Sequence, residues 1–158
     1  MPKISKLSIE KQERDEYPGK IVFANFIIDG IPLNNFKDID KDYVSCLGWG
    51  PKEFQQEQID KLLLKEKSDF KNNRNSLYIC PCSDLGCGAV SLKIKRSSKD
   101  DNIIIWYKFG FEDNLEYRSK FKNYYGLGPF YFEWEQYKDT IGGSLLFGEP
   151  NYWHADKW

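Results

Sequence analysis

The chain predicts an α+β fold: a single-layer antiparallel sheet of meanders and hairpins, packed against one main helix and a short second helix. Three observations carry that expectation. Several segments rich in β-branched and aromatic residues are separated by turn signals, notably Lys20 to Asp29, Ser76 to Cys80, Gly88 to Arg96 and Ile103 to Phe111. One window, from Pro51 to about Lys67, places Phe54, Ile59, Leu62 and Leu63 at helical spacing with Lys and Glu on its other side. The order of these elements lacks the strand-helix alternation of a nucleotide-binding sheet.

In chain order, Ile4 to Glu10 alternates imperfectly and reads as a short edge strand. Lys20 to Asp29 is a strong strand, and Asp29-Gly30 is a hairpin turn signal that returns through Ile31-Pro32-Leu33. Pro32 has no amide hydrogen to donate, which restricts the return strand to an edge or a stub. Phe36 to Cys46 reads as a polar loop, and Pro51 suits the first turn of the helix that follows Leu47-Gly48-Trp49-Gly50. After an Asn-rich loop, Ser76 to Cys80, Gly88 to Arg96 and Ile103 to Phe111 form an antiparallel meander. Phe130 to Phe132 is a short strand, and Glu133 to Ile141 is the short helix, stopped by Gly142-Gly143. No internal repeat or linker divides the 158 residues, so a single domain is expected over 1–158.

Charge excludes some classes of partner. With 23 basic and 24 acidic residues, no global field selects nucleic acid or anionic lipid. No apolar run approaches the ~20 residues that span a bilayer. The segment Met1 to Ser8 lacks the apolar stretch of a secretory signal, so a cytoplasmic protein with reduced thiols is expected. Aromatic content is the outlier: five Trp, ten Tyr and eleven Phe imply a dense β-rich core or an aromatic recognition surface.

Cysteine is the other anomaly. Three of the four cysteines, Cys80, Cys82 and Cys87, fall within eight residues. As metal ligands they would supply three of the four positions of a structural zinc site, the fourth coming from Cys46, His154, Asp84 or water. The Cys-x-Cys-x4-Cys spacing lacks the second close pair that makes zinc-ribbon patterns specific. Thiol redox chemistry would want a Cys-x-x-Cys loop opening a helix, whereas a strand follows Cys87. Simple packing also accounts for the segment: a glycine-rich β-turn, with Gly86 and Gly88 at positive φ, Asp84 as its cap and small apolar thiols filling tight space. Packing is the favoured reading, and no cofactor is expected beyond a structural zinc.

Nothing in the chain assembles a catalytic set. His154 is the one histidine and lies four residues from the end of the sequence, where chains tend to be mobile. Glu112, Asp113, Glu116, Glu133 and Glu135 could pair as acid and base, but Arg118, Lys120, Lys122 and Lys138 interleave with them as on a solvated surface. Glu133 and Glu135 also fall where acids favour a helix start. Gly48-Trp49-Gly50-Pro51 and Gly126-Leu127-Gly128-Pro129 match no phosphate-binding loop. Lys93, Lys95, Arg96 and Lys99 lie beside Trp106, Tyr107 and Phe109, yet Asp100 and Asp101 follow at once, as on a solvated strand face.

Leu47-Gly-Trp-Gly50, the Leu62-Leu-Leu64 helix, the Leu77-to-Gly88 cysteine segment, Trp106 to Gly110 and Gly128 to Tyr137 occur in an order that resembles a family of small bacterial proteins with a cysteine-turn signature. The resemblance covers roughly residues 20 to 141 and is most specific at the cysteine turn. It implies no activity, so it assigns no catalytic residue.

Two functional classes follow. One is a non-enzymatic protein-binding protein, similar in general character to bacterial immunity proteins that neutralise a toxin domain. Its expected contact residues are Glu112, Asp113, Glu116, Tyr124, Tyr125 and Trp134, where acids adjoin the aromatic residues that dominate binding hot spots. The alternative is a small cysteine-turn module that binds structural zinc or acts in thiol redox through Cys80, Cys82 and Cys87.

Overall fold

A computed structural model describes residues 3–16, 19–36, 43–67, 73–79, 89–113 and 120–147. The α+β class expected from sequence holds. Among the described residues the strands are β1 (Ile4–Ser5), β2 (Leu7–Glu16), β3 (Gly19–Ile28), β4 (Ile31–Pro32), β5 (Val44–Ser45), β6 (Asn75–Ile79), β7 (Ala89–Arg96), β8 (Ile103–Asp113), β9 (Lys120–Asn123) and β10 (Phe130–Glu133). The helices are α1 (Lys52–Leu62) and α2 (Trp134–Gly142), with a 3-10 turn at Leu33–Asn35. No helix among them is long and apolar enough to cross a membrane.

The strands form two sheets. The larger has seven strands in the order β1-β10-β8-β7-β6-β5, with β9 also on β8, and the smaller has the order β2-β3-β4. The expected meander is there as β6-β7-β8, all antiparallel, but β1 joins β10 in parallel and makes the large sheet mixed. The chain changes sheets at Lys6. Asp29 secures the crossing: its carboxylate accepts the Lys6 N–H at 2.9 Å, and its own N–H donates to the Lys6 carbonyl at 3.0 Å. This Asp-Gly turn therefore closes the β3–β4 hairpin and also anchors the neighbouring segment.

β2 runs to Glu16, six residues beyond the apolar alternation that announced it. Lys11 to Glu16 carries no hydrophobic signal, yet all ten residues of β2 pair with β3, from Leu7 opposite Ile28 to Glu16 opposite Gly19. The polar strand is extended because its apolar neighbour is, and its charges blunt an edge that would otherwise invite aggregation. α1 stops at Leu62, short of the expected Lys67. Leu64 adopts φ +63°, with Leu64 N–H bonded to Lys61 O and Lys65 N–H to Asp60 O, the pattern of a Schellman end. No glycine marks the stop, so sequence offered no cue.

Most of the large aromatic residues build the core. Trp106 has no exposed surface and makes edge-to-face contacts with Phe26 (5.5 Å), Phe132 (5.2 Å) and Tyr137 (5.9 Å). The two polar tips are satisfied internally: Trp106 Nε1 donates to the Tyr137 hydroxyl at 3.1 Å, which donates to Leu62 O at 2.6 Å. Burial raises the Tyr137 pKa well above its ordinary value, which keeps this donor protonated. Around this centre pack α1 through Ile59 and Leu62, α2 through Ile141, β3 through Ala24, Phe26 and Ile28, and the inward face of β7 through Val90 and Leu92. A smaller cluster of Ile21, Phe23, Val44, Trp49, Ile79 and Ala89 lies where the large sheet meets β3.

The Leu47-to-Gly50 motif belongs to that junction. Ala24 N–H donates to Leu47 O at 3.0 Å, and Trp49 Nε1 donates to Ser45 O at 2.6 Å. Gly48 has φ +85°, and a Cβ there would lie 3.0 Å from the Ala24 nitrogen. Its role is close backbone approach between sheets rather than phosphate binding.

Candidate partner-binding surface

β8 is bent, and the bend organises the surface around it. On one edge its partner changes along its length: β10 pairs with Ile103 to Trp106, and β9 pairs with Gly110 to Asp113. On the other edge the β7–β8 register shifts between Ser91 and Lys93. Lys108 sits at this bulge with φ +53°. A bulge of this kind leaves a backbone carbonyl without a ladder partner.

Arg74 fills that need. Its guanidinium donates through Nη2 to the Lys108 carbonyl and to Ser91 O (3.1 Å), and through Nε to Ser91 Oγ (2.9 Å). Glu112 supplies the countercharge, with an oxygen 3.2 Å from Arg74 Nε and both side chains almost fully buried. Burial pulls the Arg74 pKa down from its ordinary value, and the Glu112 carboxylate opposes that shift. The expectation of Glu112 as a solvated contact residue is therefore corrected. Beyond the bulge Phe109 and Phe111 take the positions facing the main core, and Glu112 stands opposite Ala89 on the other face, where it is buried beside Arg74 and serves the fold.

The turn between β9 and β10 stands at the bend. Tyr124 N–H donates to Phe109 O at 3.0 Å, and Leu127 N–H donates to Tyr124 O at 3.3 Å, closing a four-residue turn. Gly126, third in that turn, has φ +86°, as a type II turn requires. Gly128 fits against the Phe109 ring, where a Cβ would approach to 3.0 Å. Tyr124 points inward and is 6% exposed, so it too is corrected from contact residue to core residue. Its neighbour Tyr125, at the second turn position, is 89% exposed.

Trp134 is half-buried. The Arg96 guanidinium lies 4.1 Å from its ring centre, and Tyr137 stacks with it at 6.0 Å, so the chain's own residues occupy both contacts. Asp113 ends β8 opposite Lys120, while its side chain and the whole of Glu116 lie outside the described residues. Tyr125 is thus the one expected contact residue that the described structure presents to solvent as a whole side chain. The signal for it was an aromatic residue in a stretch where acids adjoin aromatics, which could not tell which of Tyr124 and Tyr125 faces out.

Cys80, Cys82, Cys87 and Asp84 lie outside the described residues, as does His154. The flanking strands are described: Ile79 pairs with Ala89, so the chain leaves and re-enters the sheet at adjacent positions. Cys46, weighed as a fourth ligand, is fully buried in the main core, and its N–H donates to Leu77 O at 2.9 Å. The basic and aromatic residues around Lys93 separate by sheet face, with the bulge at Lys108 shifting the parity of β8. Trp106 and Phe109 face the core, while Lys95 lies over Tyr107 at 4.8 Å on the outward face.

Compared with protein-family models, curated proteins and solved structures, the chain matches none.

Proposed function

We propose that this chain acts by contact rather than by chemistry, as a non-enzymatic protein-binding protein of the kind that neutralises a toxin domain. The observation that supports this reading is Tyr125, an almost fully exposed aromatic side chain on a turn whose backbone is fixed at Tyr124, Gly126 and Gly128. Tyrosine carries a large contact area with few rotatable bonds, and a preformed turn lowers the entropy lost on association. Arg74, paired with Glu112, binds the Lys108 carbonyl, one residue before the Phe109 carbonyl that receives the Tyr124 N–H, and so holds the part of β8 to which the turn is tied.

The test is capture with the tagged chain from its native cell, the eluate weighed by native mass spectrometry, alongside the Tyr125→Ala variant. The expected result is one near-stoichiometric protein partner that binds at least about tenfold more weakly to the variant. A bare chain, or a partner held equally well by Tyr125→Ala, overturns this reading. A bare chain carrying the mass of one zinc would transfer the assignment to Cys80, Cys82 and Cys87.

A further inference from the structure

Two stretches of chain partner one edge of β8, and three residues of β8 fall between them. β9 ends opposite Gly110 and β10 begins opposite Trp106, so Tyr107, Lys108 and Phe109 lie beside residues 124–129, which join the two. The bond from Tyr124 N–H to Phe109 O, at 3.0 Å, fixes that juxtaposition. The register continued one step places Tyr125 beside Lys108. On the other edge of β8, Tyr107 pairs with Lys93, and Lys95 lies over the Tyr107 ring at 4.8 Å. Tyr125, Lys108, Tyr107, Lys93 and Lys95 therefore form a continuous run around the bend. Tyr125, Lys108 and Lys95 are exposed, and Tyr107 and Lys93 are half-buried.

The charge on this run has one sign. Among the described residues no carboxylate pairs with any of its three lysines. Glu112 is close in sequence but is buried against Arg74 and neutralised there. Glu133, the exposed acid of the β8–β10 ladder, stands opposite Ile103, four residues along β8 from Tyr107. That is about 13 Å, beyond the ~8–10 Å over which exposed charges act at physiological salt. Lys108 is also where the backbone is strained. It is the surplus residue of the β7–β8 bulge, and its φ of +53° is one that residues with a Cβ adopt at a cost. Glycine would relieve that cost, yet the position carries lysine, and the Arg74 guanidinium on its carbonyl holds it there.

We propose that this surface binds an acidic patch on a protein partner, whose carboxylates surround Lys93, Lys95 and Lys108 and whose pocket receives Tyr125. Charge complementarity selects that partner, since a basic surface would meet three lysines and no exposed acid along the run. The assignment rests on the protein-binding reading above. It also reverses the sign of partner that acidic contact residues would have selected, because Glu112 has left the surface for the fold. Nucleic acid fits less well. The net charge is −1, and Asp100, Glu133 and Glu135 line a recess at the far end of β8, where an extended polyanion would be repelled. A compact acidic patch on a folded partner avoids them.

The test measures the captured partner's affinity for the full wild-type chain and for three variants: Tyr125→Ala, Lys93→Glu with Lys108→Glu, and Lys108→Gly. The wild-type complex is expected to weaken as salt rises from about 50 to 300 mM. The double charge reversal is expected to weaken it at least about tenfold, and Lys108→Gly about threefold or more. Lys108→Gly is also expected to melt no lower than the wild type, because glycine accepts a positive φ. Weaker binding by a variant at least as stable is an outcome that a lysine serving only the fold does not produce. A partner lost by Tyr125→Ala but held equally by both lysine variants would overturn the acidic-partner proposal and leave the protein-binding reading standing. No partner for any of the four proteins would overturn both. Titration with poly-L-glutamate, followed by amide NMR, is expected to shift Lys93, Lys95, Lys108 and Tyr125. Shifts centred elsewhere, or stronger shifts at the same amides with a DNA oligonucleotide, would overturn the proposal, the second in favour of nucleic acid.

Discussion

Arg74 Nε lies 3.2 Å from a Glu112 carboxylate oxygen, with the two side chains only 4% and 5% exposed. The pair joins the start of β6 to the end of β8 and brings a guanidinium to the carbonyl freed by the Lys108 bulge. Removing one charge leaves the other buried and uncompensated. Glu112→Gln is therefore expected to destabilise the fold by about 3–5 kcal/mol, and Arg74→Met by a similar amount. The double variant is expected to cost less than the sum of the two, because neither charge is then left alone. Denaturant titration of the four proteins measures this coupling.

Gly48 is expected to resist even the smallest substitution. Gly48→Ala forces a Cβ to 3.0 Å from the Ala24 nitrogen at φ +85°, combining a clash with a strained backbone. The expected cost is about 2 kcal/mol or more. Thermal unfolding of Gly48→Ala against Gly30→Ala provides the comparison, since φ is similar at Gly30 but nothing lies within 4 Å of the added carbon. Strain alone would make the two equal; the close approach between sheets makes Gly48→Ala the worse.

Gln136 acts as a short stretch of strand. From α2 its side-chain oxygen accepts the Leu7 N–H at 3.3 Å and its side-chain nitrogen donates to the Leu7 carbonyl at 2.5 Å. Gln136→Leu keeps the volume and removes both bonds, while Thr140 Oγ1 stays at 3.3 Å from that carbonyl. A loss of about 1–2 kcal/mol is expected, together with faster hydrogen exchange at the Leu7 amide.

Asp29 gives the fold a pH dependence of known sign. The Lys6 amide lowers its carboxyl pKa below the usual 3.8, partly offset by desolvation, with Ser5 and Lys3 adding smaller favourable contributions. A carboxylate whose folded pKa is depressed contributes stability that is fully present above its unfolded pKa and is lost as pH falls through the folded value. Asp29→Asn is therefore expected to be less stable than the wild type at neutral pH, by about 1 kcal/mol given partial solvent exposure. The difference is expected to shrink as pH falls below 3.8. Urea midpoints of both proteins from pH 7 to below that value read the difference.

Much of the secondary structure was legible because the residues that encode it also bury it. Ile21 to Ile28 could be read as a strand from its β-branched and aromatic content, and every one of those residues is buried. The helix over Trp134–Gly142 was legible from its acidic start and glycine stop. Lys11 to Glu16 was not, because its strand character comes from ten-residue pairing with β3 rather than from its own side chains. The two-residue β5 and the four-residue β9 were likewise missed, since each is defined by the strand beside it.

The expected contact residues divide in the same way. Composition identified Tyr124 and Tyr125 as part of an aromatic stretch ahead of the Gly126–Pro129 punctuation, and the turn begins two residues before that punctuation, at Tyr124. Which tyrosine faces solvent was decided by hydrogen bonds to Phe109 and by the glycine conformations around the turn, neither of which has a local signature.

The sequence by itself determined an α+β chain with its principal strands, its two helices and the Asp29-Gly30 turn, because periodicity and turn chemistry act within a few residues. Tertiary structure alone decided that Glu112 is a buried countercharge and Tyr125 an exposed side chain. One extra residue at a bulge passes the core-facing role from Ile104 and Trp106 to Phe109 and Phe111 and leaves Glu112 on the other face, where it is buried with Arg74, whose guanidinium binds the Lys108 carbonyl 34 positions away.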